Sequence, residues 1–173
     1  MTDTTSEPQV TEIGHLPVVV ILERRIATSR WADYVWSAAG ITVGRGTGGT
    51  DRLPHLIRED QNTAYFAVEG LEVALYVDEC ESYYYNLISD APQAYVLAHA
   101  ADDSAQPQPF RVSMSFDEAH AYLEGDDQVY AVAVPAELYR WTEAFVIANY
   151  FPEKKRKRKL RDWTADDSVD PAS

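Results

Sequence analysis

A single cysteine, Cys80, leaves this chain without an intrachain disulfide and without a zinc site built on paired thiolates, and a reducing compartment is expected. No apolar run approaches the roughly 18 to 20 residues that span a bilayer. Met1 to Val10 has neither the basic start nor the apolar stretch of a secretory signal, so the expected address is cytoplasmic, with no membrane partner. Basic charge is scarce outside one stretch. The net charge is -13, and Lys154, Lys155, Arg156, Lys157, Arg158, Lys159 and Arg161 supply seven of the 15 basic residues, so without those seven the rest carries -20. Such a body repels nucleic acid and anionic membrane. The four histidines, His15, His55, His99 and His120, stand at no spacing that lets two imidazoles share a metal, and no metal or other cofactor is expected.

What the chain does have is apolar surface. Hydrophobic residues make up 46% of it, enough to offset the entropy of ordering one core, and 173 residues suit one domain better than two. Residues 1–13 show no period and read as a disordered leader, residues 14–151 as a single α+β domain, and residues 152–173 as a basic, then acidic, flexible tail.

Within the domain, Leu16, Val18, Val19, Val20, Ile21 and Leu22 form a continuous apolar run, the pattern of a strand covered on both faces. Ser29 to Val43 reads as a turn and a second strand, and Arg45 to Gln61 as a mobile loop. Ala64 to Val77 alternates, with a change of phase at Gly70 that calls for a tight turn or a bulge. Tyr83 to Ile88 and Ala94 to Ala100 read as strands joined through Asp90-Ala91-Pro92, and Phe110 to Met114 as another. Ser115 and Glu118 fit a capping box that opens a short helix from Phe116 to Leu123, stopping at Gly125. A last strand follows over Gln128 to Val134. After Pro135, Leu138, Trp141, Ala144, Phe145 and Ala148 recur at helical spacing, with Leu138, Trp141 and Phe145 expected to face the sheet. The fold class is α+β: a strongly curved antiparallel sheet or half-open barrel with a short helix and a C-terminal amphipathic helix.

Catalytic chemistry finds little purchase. Gly44 to Gly49 matches GxGxxG, but no amphipathic helix follows to meet a pyrophosphate. Cys80 stands among Asp78, Glu79 and Glu81, which oppose a thiolate. The acidic clusters at Asp78/Glu79/Glu81, Asp102/Asp103 and Asp126/Asp127 fall at expected turns and read as solvated. No catalytic residue is assigned. The densest polar-aromatic cluster is Trp31-Ala32-Asp33-Tyr34-Val35-Trp36 after Glu23-Arg24-Arg25, residue types enriched at interaction hot spots. It reads either as a recognition surface or as a core-edge cluster in which Asp33 pairs with Arg24 or Arg25. Candidate partner-binding residues are therefore Arg24, Arg25, Trp31, Asp33 and Trp36, with Lys154, Lys155, Arg156, Lys157, Arg158 and Lys159 of the tail.

Glu23-Arg24-Arg25, the Trp31 to Trp36 segment, Tyr85-Asn86-Leu87 and the Lys/Arg run after an aromatic helix together resemble an uncharacterised bacterial domain-of-unknown-function family, number 3305, over roughly His15 to Arg161. Members of that family are commonly encoded beside genes for molybdenum-dependent formate dehydrogenase. The resemblance implies a non-enzymatic accessory protein for biogenesis or regulation of that enzyme, with a dehydrogenase subunit or maturation factor as partner. Two alternatives are a small enzyme or carrier acting on molybdopterin-guanine dinucleotide or its precursors, and a nucleic-acid-binding regulator working through the tail.

Overall fold

The computed structural model describes residues 12–46, 51–100, 102 and 104–152. Among them run β1 (Glu12–Ile26), β2 (Tyr34–Val43), β3 (His55–Glu59), β4 (Thr63–Tyr76), α1 (Cys80–Leu87), β5 (Gln93–His99), β6 (Gln108–Ser113), α2 (Phe116–Leu123), β7 (Gln128–Ala133) and α3 (Ala136–Asn149), with a 3-10 turn at Val77–Glu79 leading into α1. The strand order is β2-β1-β4-β6-β5-β7, with β3 also paired to β4. The strands at the two ends of this order, β2 and β7, pack against each other, so the sheet is nearly closed and barrel-shaped. The fold class is α+β with a strongly curved sheet, as the sequence leads one to expect. All strand pairs are antiparallel except β4 with β6, which meet at Val73 and Val112.

The long strand β4 serves two neighbours because it changes phase halfway. Val20 lies opposite Val68 while Val18 lies opposite Leu71, so β4 spends an extra residue at Glu69-Gly70, and Gly70 takes the positive φ (77°) of the expected bulge. The first half of β4 lies between β1 and β3, and the second between β1 and β6. Gly46 and Arg52 both reach this bulge. Gly46 has φ +75°, a Cβ there would strike the Glu69 side chain, and Arg52 Nε donates to the Gly70 carbonyl at 3.2 Å. Among the described residues the next element after β2 is a strand, β3, and not a helix.

One core fills the barrel and extends beneath α1 and α3, joining Val18, Val20, Leu22, Val68, Leu71 and Val96 to Tyr83, Leu138 and Phe145. A smaller cluster on the other face of β5 sets Tyr95 and Leu97 against Ala119 of α2. This covering of both faces explains why β5 is buried from Ala94 to Ala98.

Two expectations need correction. Tyr83 to Ile88 is not a strand: Tyr83 to Leu87 belongs to α1 and Ile88 caps it. Its tyrosines favour strand in isolation, yet the buried positions Cys80, Tyr83 and Leu87 fall at helical spacing, and tertiary burial decides. Asn86 anchors the helix: its Nδ2 donates to the carbonyls of Gln93 (2.7 Å) and Met114 (2.9 Å), and its Oδ1 accepts from the Gln93 N–H (3.0 Å). The second correction is β3, which lies inside the stretch read as a loop. Every residue of it is exposed, so no alternation marks it.

The capping box is half formed. Ser115 Oγ accepts from the Glu118 N–H at 3.1 Å, but Glu118 turns its carboxylate to Ser113 Oγ, which in turn accepts from the Ser115 N–H at 3.0 Å. On α3, Leu138 and Phe145 are buried as expected and Trp141 is half-buried at the edge, while Thr142 and Val146 complete the inner face and Ala144 and Ala148 are exposed.

Candidate functional site

At the end of the sheet where β1 turns into β2, four strands place one residue each in a cross-strand row: Trp36 of β2, Arg24 of β1, Ala64 of β4 and Glu59 of β3. Ala64 is the small member, and over it the Arg24 guanidinium reaches Glu59 at 3.2 Å. The same guanidinium lies over the rings of Tyr34 (4.6 Å), Phe66 (5.3 Å) and Trp36 (5.9 Å). Trp36 packs on Phe66 at 5.4 Å, and its Nε1–H donates to the Ser104 carbonyl at 3.2 Å. Only 9% of Trp36 is exposed, so it is a core residue whose contribution to this end is support. Arg25 turns to Glu23, and Arg24 to Glu59, so neither takes the partner in Asp33 that a core-edge reading gives them.

Beyond this stack the hairpin projects. The Ala27 N–H donates to the Asp33 carbonyl at 3.0 Å, closing the loop, and the Trp31 N–H donates to Ser29 Oγ at 3.2 Å. Trp31 itself is 94% exposed. Ile26, Tyr34 and Val35 beside it are exposed too, as are Leu56 and Ile57 of β3. The Ile26 N–H donates to the Asn62 carbonyl, which brings the turn between β3 and β4 to the same end. Arginines concentrate here: Arg24, Arg25, Arg30 and Arg58 are half of the eight basic residues that lie outside the 154–161 run. Of the sequence-predicted residues, the structure therefore gathers Arg24, Arg25, Trp31 and Asp33 at one projecting end and puts Trp36 beneath them. Lys154 to Lys159 lie outside the described residues.

Other chemistry-bearing groups are held by internal bonds. Ser115 Oγ bonds Glu79 at 2.6 Å and Ser82 at 3.0 Å, while Glu118 pairs with Arg111 at 2.7 Å. This cluster fastens α1 to the start of α2, and it corrects the reading of Glu79 as a solvated turn carboxylate. The signal for it was the serine spacing Ser113-x-Ser115, which capping alone did not exhaust. Cys80 is buried, and burial first and Asp78 second push its thiol pKa up, away from nucleophile chemistry. His99 Nδ1 lies 2.6 Å from Asp127 with its ring stacked on Phe110 at 4.1 Å, an exposed pair whose carboxylate sequence reasoning left to solvent. Among the described residues no three His, Cys, Asp or Glu side chains converge on a metal position, and no helix is long and apolar enough to cross a membrane. A cleft of about 500 Å³ opens between α1 and the start of α2, flanked by Glu81, Tyr85, Phe116 and Asp117. Asn86 lines it but is committed to three backbone bonds.

The chain belongs to the family described as protein of unknown function DUF3305, whose model matches residues 17–159. None of the curated proteins and none of the solved structures compared with it matches.

Proposed function

We propose that this DUF3305 member is a non-enzymatic accessory protein that docks onto a partner protein through the projecting end of the β1–β2 hairpin. The observation that carries the reading is Trp31, an indole 94% exposed on a loop whose base is fixed by the Arg24 stack. A tryptophan has only two side-chain torsions to fix, and the loop that carries it is already closed by the Ala27–Asp33 bond, so inserting the ring into a partner's pocket removes a large apolar area from water at a modest ordering cost. The exposed Ile26 and Val35 widen the apolar patch, and Arg30 stands at its rim, while Arg25 and Arg58 already pair with Glu23 and Asp60.

The partner we propose is a subunit or maturation factor of a molybdenum-dependent formate dehydrogenase, the context that the family resemblance supplies, and the location of this work is the cytoplasm. A carrier of molybdopterin-guanine dinucleotide would use the cleft beside α1, but Glu81 and Asp117 at its mouth oppose an anionic nucleotide. The full chain, used as bait in its native host, tests the proposal. Wild type should retain a dehydrogenase component and Trp31→Ala should lose it, and equal recovery by both proteins, or recovery by neither, refutes the reading.

A further inference from the structure

A second apolar surface lies away from the hairpin, in the groove between α1 and α3. Tyr84, Leu87, Ile88, Tyr139, Val146 and Ile147 line it, and Pro152 closes one end. Ile147 of α3 is 73% exposed, and Ile88, the residue that caps α1, is 59% exposed, although both helices bury their other side in the core. The groove encloses about 270 Å³. That falls below the roughly 300 to 1,000 Å³ of small-molecule sites, and suits one large side chain better than a metabolite. Its surroundings are acidic. Glu143 stands on the wall, and partial desolvation and then the Glu81 charge raise the pKa of the Tyr150 phenol, which puts Glu81 within electrostatic reach of the groove's end, where Tyr150 packs on Tyr84 at 5.0 Å.

The chain after Pro152 carries the matching chemistry. It supplies seven basic residues and then Trp163, with Leu160 between Lys159 and Arg161, in a protein whose other residues sum to -20. Since Pro152 itself lines the groove, the eleven residues from there to Trp163 need only double back. At about 3.3 to 3.6 Å per extended residue they have ample reach. We propose that residues 153–163 dock in cis on the α1–α3 groove, Leu160 or Trp163 filling it and the lysines and arginines facing Glu143 and Glu81. Held this way, the basic run is withheld from phosphate-bearing partners until an acidic surface or salt displaces it. This does not depend on the hairpin's role.

The full chain tests it, because Cys80 is buried and a spin label can be placed selectively at Ala165→Cys. At low salt the label should remove most of the NMR signal intensity of Ile88 and Ile147 while sparing Ile26 and Ile57. Raising the salt, or adding Leu160→Ser with Trp163→Ser, should restore it. Signals that keep their intensity at Ile88 and Ile147, or lose it evenly over the surface, overturn the proposal. So does equal loss when a spin-labelled chain is mixed with an isotope-labelled chain lacking the spin label, since the occupant would then be a second copy.

Discussion

Two tryptophans five positions apart in one hairpin should respond in opposite ways to the same truncation. Trp36→Ala removes a ring that is 9% exposed, breaks the Nε1–H bond to Ser104, and takes away the face on which Phe66 and Arg24 rest. Truncating a buried aromatic costs roughly 3–5 kcal/mol, the spread reflecting how far the neighbours collapse. Phe66 and the Arg24 stem lie beside the gap and can lean into it, which sets the expectation near the lower bound, about 3 kcal/mol. Trp31→Ala deletes an exposed ring and should change stability by no more than about 0.5 kcal/mol. Urea unfolding reads both. With an m-value of about 1–3 kcal/mol/M, the Trp36 variant should lose roughly 1–3 M in its midpoint without a change of slope, and the Trp31 variant should overlay the wild type. A Trp36 loss under about 1 kcal/mol, or a Trp31 loss as large as that of Trp36, would refute the assignment of one ring to support and the other to presentation.

Asn86→Ala should cost about 3 kcal/mol, because it strands the Gln93 amide and the Gln93 and Met114 carbonyls; Asn86→Asp should not rescue it, and a midpoint shift equivalent to less than about 1 kcal/mol would mean that water from the adjacent cleft replaces the amide. Ser115→Ala should cost about 1–2 kcal/mol through loss of the α2 cap and of the bond to Glu79, with Ser115→Thr recovering part of it; equal stability of all three proteins in urea would contradict this. Burial, ahead of the charges of Glu79 and Glu118, holds the Tyr83 phenol pKa far above its ordinary value, against the lowering by the Tyr76 N–H bond. The folded state therefore prefers the protonated phenol, and that contribution is whole below the unfolded value near 10 and is lost as pH rises above it. Stability measured between about pH 9 and 11 should fall less steeply in Tyr83→Phe than in wild type, and identical slopes would contradict the assignment.

The parts of the fold legible in the sequence were those where burial and periodicity agree. The run from Val18 to Leu22, the phase change at Gly70, the cap at Ser115 and the inward positions Leu138 and Phe145 each follow from a local rule that the packed structure keeps. The failures are equally physical. β3 is exposed on every residue and leaves no alternation to read, and α1 hides a helical burial pattern beneath three consecutive tyrosines. The parallel contact of β4 with β6 joins residues 39 positions apart, Val73 and Val112, and no local pattern encodes it. At the candidate site, composition singled out the Trp31 to Trp36 segment but could not tell which tryptophan faces out. That depends on Arg24 crossing Ala64 to Glu59, a row drawn from four strands.

The proposed docking rests on the exposed Trp31 indole at the hairpin end. It is tested most directly by the dissociation constant between the full-length chain and whichever dehydrogenase component it retains, measured for wild type and for Trp31→Ala. A hot-spot residue contributes about 2 kcal/mol or more, so binding should weaken by roughly 30-fold or more in a variant that unfolds like wild type. A constant changed by less than about twofold would contradict it and move the docking surface elsewhere on the molecule.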